Sequence, residues 1–227
     1  MNRTFTAILL ALSLSWSPRL VAQEEGFGTD LGFFKATYYW IAFEKFFPGA
    51  PSVPILDVKG RTIAMVSEDF ARSVTMEGTG VLRDGRVINL HEKCKAAEFG
   101  WCFLEVNRSK APFGYGSSKL LKPFRTIAVN QGIKPGTVLF FPDFIGVSLP
   151  TDEGGLDFHD GCFVAEDVGW SLGPRHVDIF ALAENYYKVL TSSIGGKDRV
   201  RIYTDSPFCP ATAAELYDPE GWVDTVR

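Results

Sequence analysis

Histidine is scarce in this sequence: His91, His159 and His176 are the only three in 227 residues. No H-x-x-x-H spacing and no C-x-x-C pair occurs, so the usual zinc ligand sets are missing and no metal is expected. No motif suggests a cofactor, and no serine or cysteine is read as a nucleophile. Basic residues are outnumbered, 23 Lys and Arg against 27 Asp and Glu, with no basic patch. That argues against nucleic acid as a partner. The apolar runs fall short of the roughly 20 residues that a membrane-spanning helix needs, so no stable membrane insertion is expected. Internal repeats, heptads and low-complexity tracts are also lacking.

What is present starts with a leader. Arg3 supplies a positive start, Ala7 to Leu14 form a short apolar core, and small residues near Val21-Ala22-Gln23 offer a cleavage site after Ala22. Residues 1–22 are read as a signal peptide, against the alternative of a buried or amphipathic N-terminal helix. The protein is therefore expected to be exported, to the periplasm or beyond. Export permits disulfides, and the four cysteines are even in number. Cys94 and Cys102, close in sequence with Gly100 between them, are expected to pair, which leaves Cys162 with Cys209 to tie down the C-terminal tail.

Residues 23–34, Gly-rich and acidic, read as a flexible lead-in, and 35–227 as one domain. From Lys35 the sequence turns strand-like, with Ala36-Thr37-Tyr38-Tyr39-Trp40-Ile41 rich in β-formers. Strands are expected at 53–58, 61–66 and 73–76, with at most a turn or two of helix from Ser67. Asp84-Gly85 between Val81-Leu82 and Val87-Ile88 signals a hairpin. Residues 91–119 are irregular and read as an insertion. Further strands are expected at 125–129, 137–141, 161–165, 176–180 and 199–204. Residues 181–192 form the best helix, with Leu182, Tyr186, Val189 and Leu190 on one face and Gly195-Gly196 at its end. Many short strands with glycine turns imply a mainly β fold, a barrel or a sandwich.

Chemistry concentrates in 157–180, where Asp160, Asp167 and Asp178 each abut a short apolar segment. Carboxylates at strand ends between apolar walls acquire raised pKa values and serve as general acids. Asp beside Gly is equally a routine turn former, so the residues alone leave both readings open. Glu77, ahead of Gly78-Thr79-Gly80, is either a groove residue or part of a turn. His176 shares the strand face of Asp178 by alternation.

The order of these features resembles the three-aspartate (3D) domain family. That family includes the C-terminal barrel of membrane-bound lytic transglycosylase A and the stationary-phase survival proteins. Asp167-Val168-Gly169, followed eleven residues on by Asp178-Ile179-Phe180, is similar to its signature. Arg125-Thr126-Ile127-Ala128-Val129-Asn130 and Lys134-Pro135-Gly136-Thr137 resemble the stretch ahead of it, and Ala36-Thr37-Tyr38-Tyr39 the opening strand. The resemblance implies a six-stranded double-psi β-barrel with added loops and a C-terminal helix. It also implies non-hydrolytic cleavage of the MurNAc–GlcNAc β-1,4 bond of peptidoglycan, leaving a 1,6-anhydro product. Asp178 would be the general acid/base, Asp167 the second carboxylate and Asp160 the third; Thr37, Tyr39, Glu77 and Gly169 are read as binding substrate, and Trp170 as either stacking on a sugar ring or blocking a subsite. Trp170 and Gly173 stand where the family has Gly and Lys, and Asn130 where it often has Asp. The alternative is an expansin-like barrel that binds cell-wall polysaccharide without cutting it.

Overall fold

The computed structural model describes residues 26–107, 116, 120–150, 156–169 and 171–213. The expected signal peptide and Trp170 lie outside these residues. The first half runs through β1 (Thr29–Tyr39), β2 (Ala42–Phe43), β3 (Val53–Leu56), β4 (Thr62–Val66), α1 (Glu68–Glu77), β5 (Thr79–Val81), β6 (Val87–Lys93) and β7 (Trp101–Val106). The second half contains β8 (Thr126–Val129), β9 (Thr137–Phe140), β10 (Ser148–Pro150), β11 (Leu156–Phe158), β12 (Cys162–Val168), β13 (His176–Phe180), α2 (Glu184–Ser193) and β14 (Arg199–Thr204).

Six strands close a barrel in the order β1-β13-β8-β12-β9-β14. β1 pairs parallel to β13 and antiparallel to β14, and β8 pairs parallel to β12 and antiparallel to β13. Side chains alternate across each strand, so Ala36, Ile127, Val129, Phe163, Val177 and Ile179 fill the interior. Each large apolar side chain buried there contributes roughly 1.5–3 kcal/mol. The mainly β fold, the six-stranded closure and the C-terminal helix are those expected from sequence. β1 starts earlier than expected, so residues 29–34 of the supposed lead-in are strand paired with β14.

Between β1 and β8 the chain builds a second layer. β2, β5, β6 and β7 form one sheet, β3 and β4 a hairpin, and Val66, Phe70, Val74, Ile88 and Phe103 close a separate core with α1. The strand expected at 73–76 is instead the end of α1. Ser67 caps the helix by accepting the Phe70 N–H, and Phe70, Ala71 and Val74 fall on one buried face. That amphipathic pattern and cap outweigh the β-branched residues Val74 and Thr75. Gly78 then ends the helix at φ 83°, a left-handed turn that glycine adopts without strain. The supposed insertion also differs: 91–93 and 101–106 are strand residues of this sheet. Ile41, Phe43, Val87, Phe180 and Leu182 join the layer to the barrel.

Both expected disulfides are present, Cys94–Cys102 and Cys162–Cys209. Among the described residues no helix is long and apolar enough to cross a membrane.

Candidate active site

One transverse row of the barrel wall positions the candidate acid. Thr37 on β1 stands opposite Asp178 on β13, Asp178 opposite Ala128 on β8, and Ala128 opposite Asp167 on β12. Directly paired residues share a sheet face, so all four project outward while their neighbours fill the core. Asp167 reaches this face through a β-bulge. The register slips between Ala165 and Asp167. With strict alternation after Phe163 and Ala165, Asp167 would point into the apolar interior, but the extra residue, Glu166, turns it outward. Bulges re-aim side chains in this way beside functional sites.

The outward row meets the second layer across a cleft of about 360 Å³. Asp167, Asp178, Tyr39 and Gly169 line it from the barrel, and Glu77, Met76, Thr79, Asn89, Leu90 and Trp101 from the opposite wall. Of the residues singled out in the sequence, the fold thus brings together Asp167, Asp178, Tyr39, Glu77 and Gly169. Thr37 stands behind Asp178. A Cβ on Gly169 would collide with the Leu172 side chain, so glycine lets the two approach closely.

Asp160 is placed elsewhere. It is ion-paired with Arg125 and accepts the Cys162 N–H at 2.8 Å. Burial raises its pKa, but these bonds and the Arg125 charge outweigh burial and hold it below the usual carboxylate value. It is tied into the start of β12 and does not line the cleft. Its neighbour His159 is also structural: its Nδ1 accepts the Gly161 N–H at 2.8 Å and its Nε2 meets the Phe124 carbonyl at 2.6 Å.

The electrostatics separate the cleft carboxyls. Burial pushes Asp178 up to about 6; the Thr37 hydroxyl bond counters this, the Asp167 charge adds to it and Lys35 opposes it. Asp167 accepts the Tyr39 hydroxyl at 3.0 Å and the Val168 N–H at 2.8 Å. Burial likewise pushes Glu77 up to about 7, against the Trp40 N–H, with the charges of Asp178 and Glu184 adding to the rise. A carboxyl with a pKa near 6 can hold a proton, deliver it and take one back near neutral pH.

The sequence reading missed Trp101, Asn89 and Thr79, which reach the cleft only because the β5–β7 sheet packs against the barrel. Ser171 also lines the cleft. Gly169-Trp170-Ser171-Leu172-Gly173 spells the G-x-S-x-G pattern, a match that the sequence reading passed over. The match is one of letters. A nucleophile elbow joins a strand to a helix and presents its serine to a histidine. Here the pentapeptide lies between β12 and β13, and His159 and His176 are engaged elsewhere. Among the described residues no group of three or more His, Cys, Asp or Glu is placed to hold a metal.

No family model matches the sequence, and no curated protein matches it. Solved structures do match the fold. The chain aligns with E. coli MltA with bound chitohexaose at a TM-score of 0.51 and 14% identity, over 76% of this chain and 71% of that one. It also matches a membrane-bound lytic murein transglycosylase from Agrobacterium tumefaciens, at a TM-score of 0.44 and 16% identity, over 76% and 73% of the two chains. At such identities the likeness to E. coli MltA is one of fold.

Proposed function

We propose that this protein is a lytic transglycosylase that cuts the MurNAc–GlcNAc β-1,4 bond of peptidoglycan with Asp178 as its general acid and base. The observation that carries the reading is a single one: Asp178, with its pKa raised to about 6, stands on the wall of an open cleft between barrel and second layer. Protonated, Asp178 gives its proton to the glycosidic oxygen as the C1–O4 bond breaks. As carboxylate, it then takes the proton of the muramoyl C6 hydroxyl while O6 bonds to C1. The proton count balances and no water is consumed, which is why one carboxyl suffices where ordinary glycosidases need a pair. Asp167, fixed by Tyr39, raises the pKa of Asp178 by its charge. Trp101 offers an aromatic face to a sugar ring, and Asn89 and Thr79 offer polar groups. The substrate is a cell-wall glycan, and the two disulfides fit an oxidising setting outside the cytoplasm.

The test is digestion of purified peptidoglycan by the parent protein and by Asp178→Asn, with products read by mass spectrometry. Anhydro-muropeptides from the parent alone establish the reading. Reducing ends instead would make the protein a hydrolase. Glycan binding with no product would leave a wall-binding barrel.

A further inference from the structure

Behind the cleft, Asp178 is hydrogen-bonded to a chain of two side chains that the proposed reaction does not consume. Its Oδ1 accepts the hydroxyl of Thr37 at 2.7 Å, and the same Thr37 Oγ1 lies 2.7 Å from Nε2 of His176. The register builds this chain: Thr37 pairs with Asp178, and His176, two residues earlier on β13, projects from the same face. Thr37 has one proton to donate. When it serves an ionised Asp178, His176 must donate Nε2–H to Oγ1. When Asp178 is protonated, its own O–H can donate to Oγ1, and Thr37 can turn its proton to Nε2. Both directions satisfy every group. His176 is half-buried and does not line the cleft, whereas Thr37 also borders a separate pocket beside Trp40 and Tyr187.

We propose that His176 and Thr37 form a proton-loading path to Asp178 that enters from outside the cleft. A proton from solvent binds His176 Nδ1, Nε2–H passes its proton to Thr37 Oγ1, and the Thr37 hydroxyl proton passes to Asp178 Oδ1. Asp178 gains one proton, Thr37 is unchanged, and His176 moves from the Nε2–H to the Nδ1–H tautomer. The path lets Asp178 exchange protons with solvent while a glycan fills the cleft. Burial, with the Lys35 charge behind it, lowers the pKa of His176 and so favours the uncharged ring, which can exchange tautomers. The charged groups bearing on the chain are Lys35, opposite His176 in register, and the cleft carboxyls Asp167 and Glu77. The purpose of the path rests on the reading of Asp178 as acid and base, but its test needs no glycan.

That test is the side-chain ¹⁵N spectrum of the three histidines, measured at one pH near 8 in the parent protein and in Asp178→Asn, whose amide stands in for the protonated acid. The parent is expected to hold His176 as Nε2–H and Asp178→Asn as Nδ1–H. Thr37→Val should break the linkage, so that the tautomer no longer follows residue 178. Thr37→Ser should keep it, which also guards against misfolding in the valine variant. The same tautomer in parent and Asp178→Asn, or a linkage that survives Thr37→Val, overturns the path. Failure to release anhydro-muropeptides would overturn the lytic reading without altering this spectrum.

Discussion

Asp167 and Asp178 stand on either side of Ala128, one strand away in each direction, so two like charges share one wall roughly 10 Å apart at the backbone. Only Asp167 is held by the Tyr39 phenol; Asp178 carries the raised pKa. Asp178→Asn should therefore cost about 10²–10⁴ in turnover, the usual loss of a general acid. Asp167→Asn should leave activity but let Asp178 ionise more easily, because a repelling charge is gone. Its pH–activity curve should fall off at lower pH than the parent's. A curve that does not move would remove Asp167 from the account.

Stability should carry the same signature. Asp178 rises from 3.8 to about 6 and Glu77 from 4.5 to about 7 on folding. Both folded values lie above the unfolded ones. Their contribution is thus complete below about pH 4 and is lost as pH climbs through 6 and then 7. Chemical denaturation of the parent and of the Asp178→Asn, Glu77→Gln double variant, compared from pH 4 to 8, checks this. The double variant should gain on the parent as pH rises, each pKa unit removed being worth about 1.4 kcal/mol. Equal slopes would show that the two carboxyls pass unperturbed from unfolded to folded chain.

Much of this arrangement could be read from the residues, for identifiable reasons. Strands β8, β9, β13 and β14 are short apolar runs fenced by turn residues, which local pattern resolves well. Asp167 and Asp178 stood out because each abuts such a run. The bulge at Glu166 did not, since an inserted residue leaves no mark on composition. Alternation from Ala165 gives the wrong face for Asp167. Asp160 looked like a third partner because its Arg125 lies 35 residues upstream, a pairing that only the fold reveals. Helix α1 was mistaken in part for strand because Val74 and Thr75 favour β locally, while its cap and buried face are properties of the whole segment.

The two disulfides should separate by function. Cys162–Cys209 closes a span of 47 residues and sits with Phe140 and Tyr203 in a small cluster apart from the cleft. Replacing both cysteines by alanine should cost about 3–4 kcal/mol, by the loop-closure argument, and leave glycan affinity unchanged below the melting range. Cys94–Cys102 closes a span of only 8 residues and holds the start of β7. Its removal should cost less stability but weaken glycan binding. Calorimetric unfolding and binding titration of the two alanine pairs make the comparison.

Trp101 is the reason for that second expectation. It is the first residue of β7, paired with Lys93 and adjacent to Cys102, and it packs on the second core while lining the cleft. A sugar ring stacked on the indole would bury apolar surface on both partners, an interaction worth about 0.5–1.5 kcal/mol beyond area alone. Trp101→Ala should therefore weaken binding of a chitooligosaccharide about tenfold, close to 1.4 kcal/mol, and Trp101→Phe by much less. Because Trp101 also supports the second core, the titration belongs well below the unfolding temperature of each variant. An unchanged affinity in Trp101→Ala would move the sugar-stacking surface elsewhere along the cleft, with Tyr39 on the barrel wall as the next ring to replace.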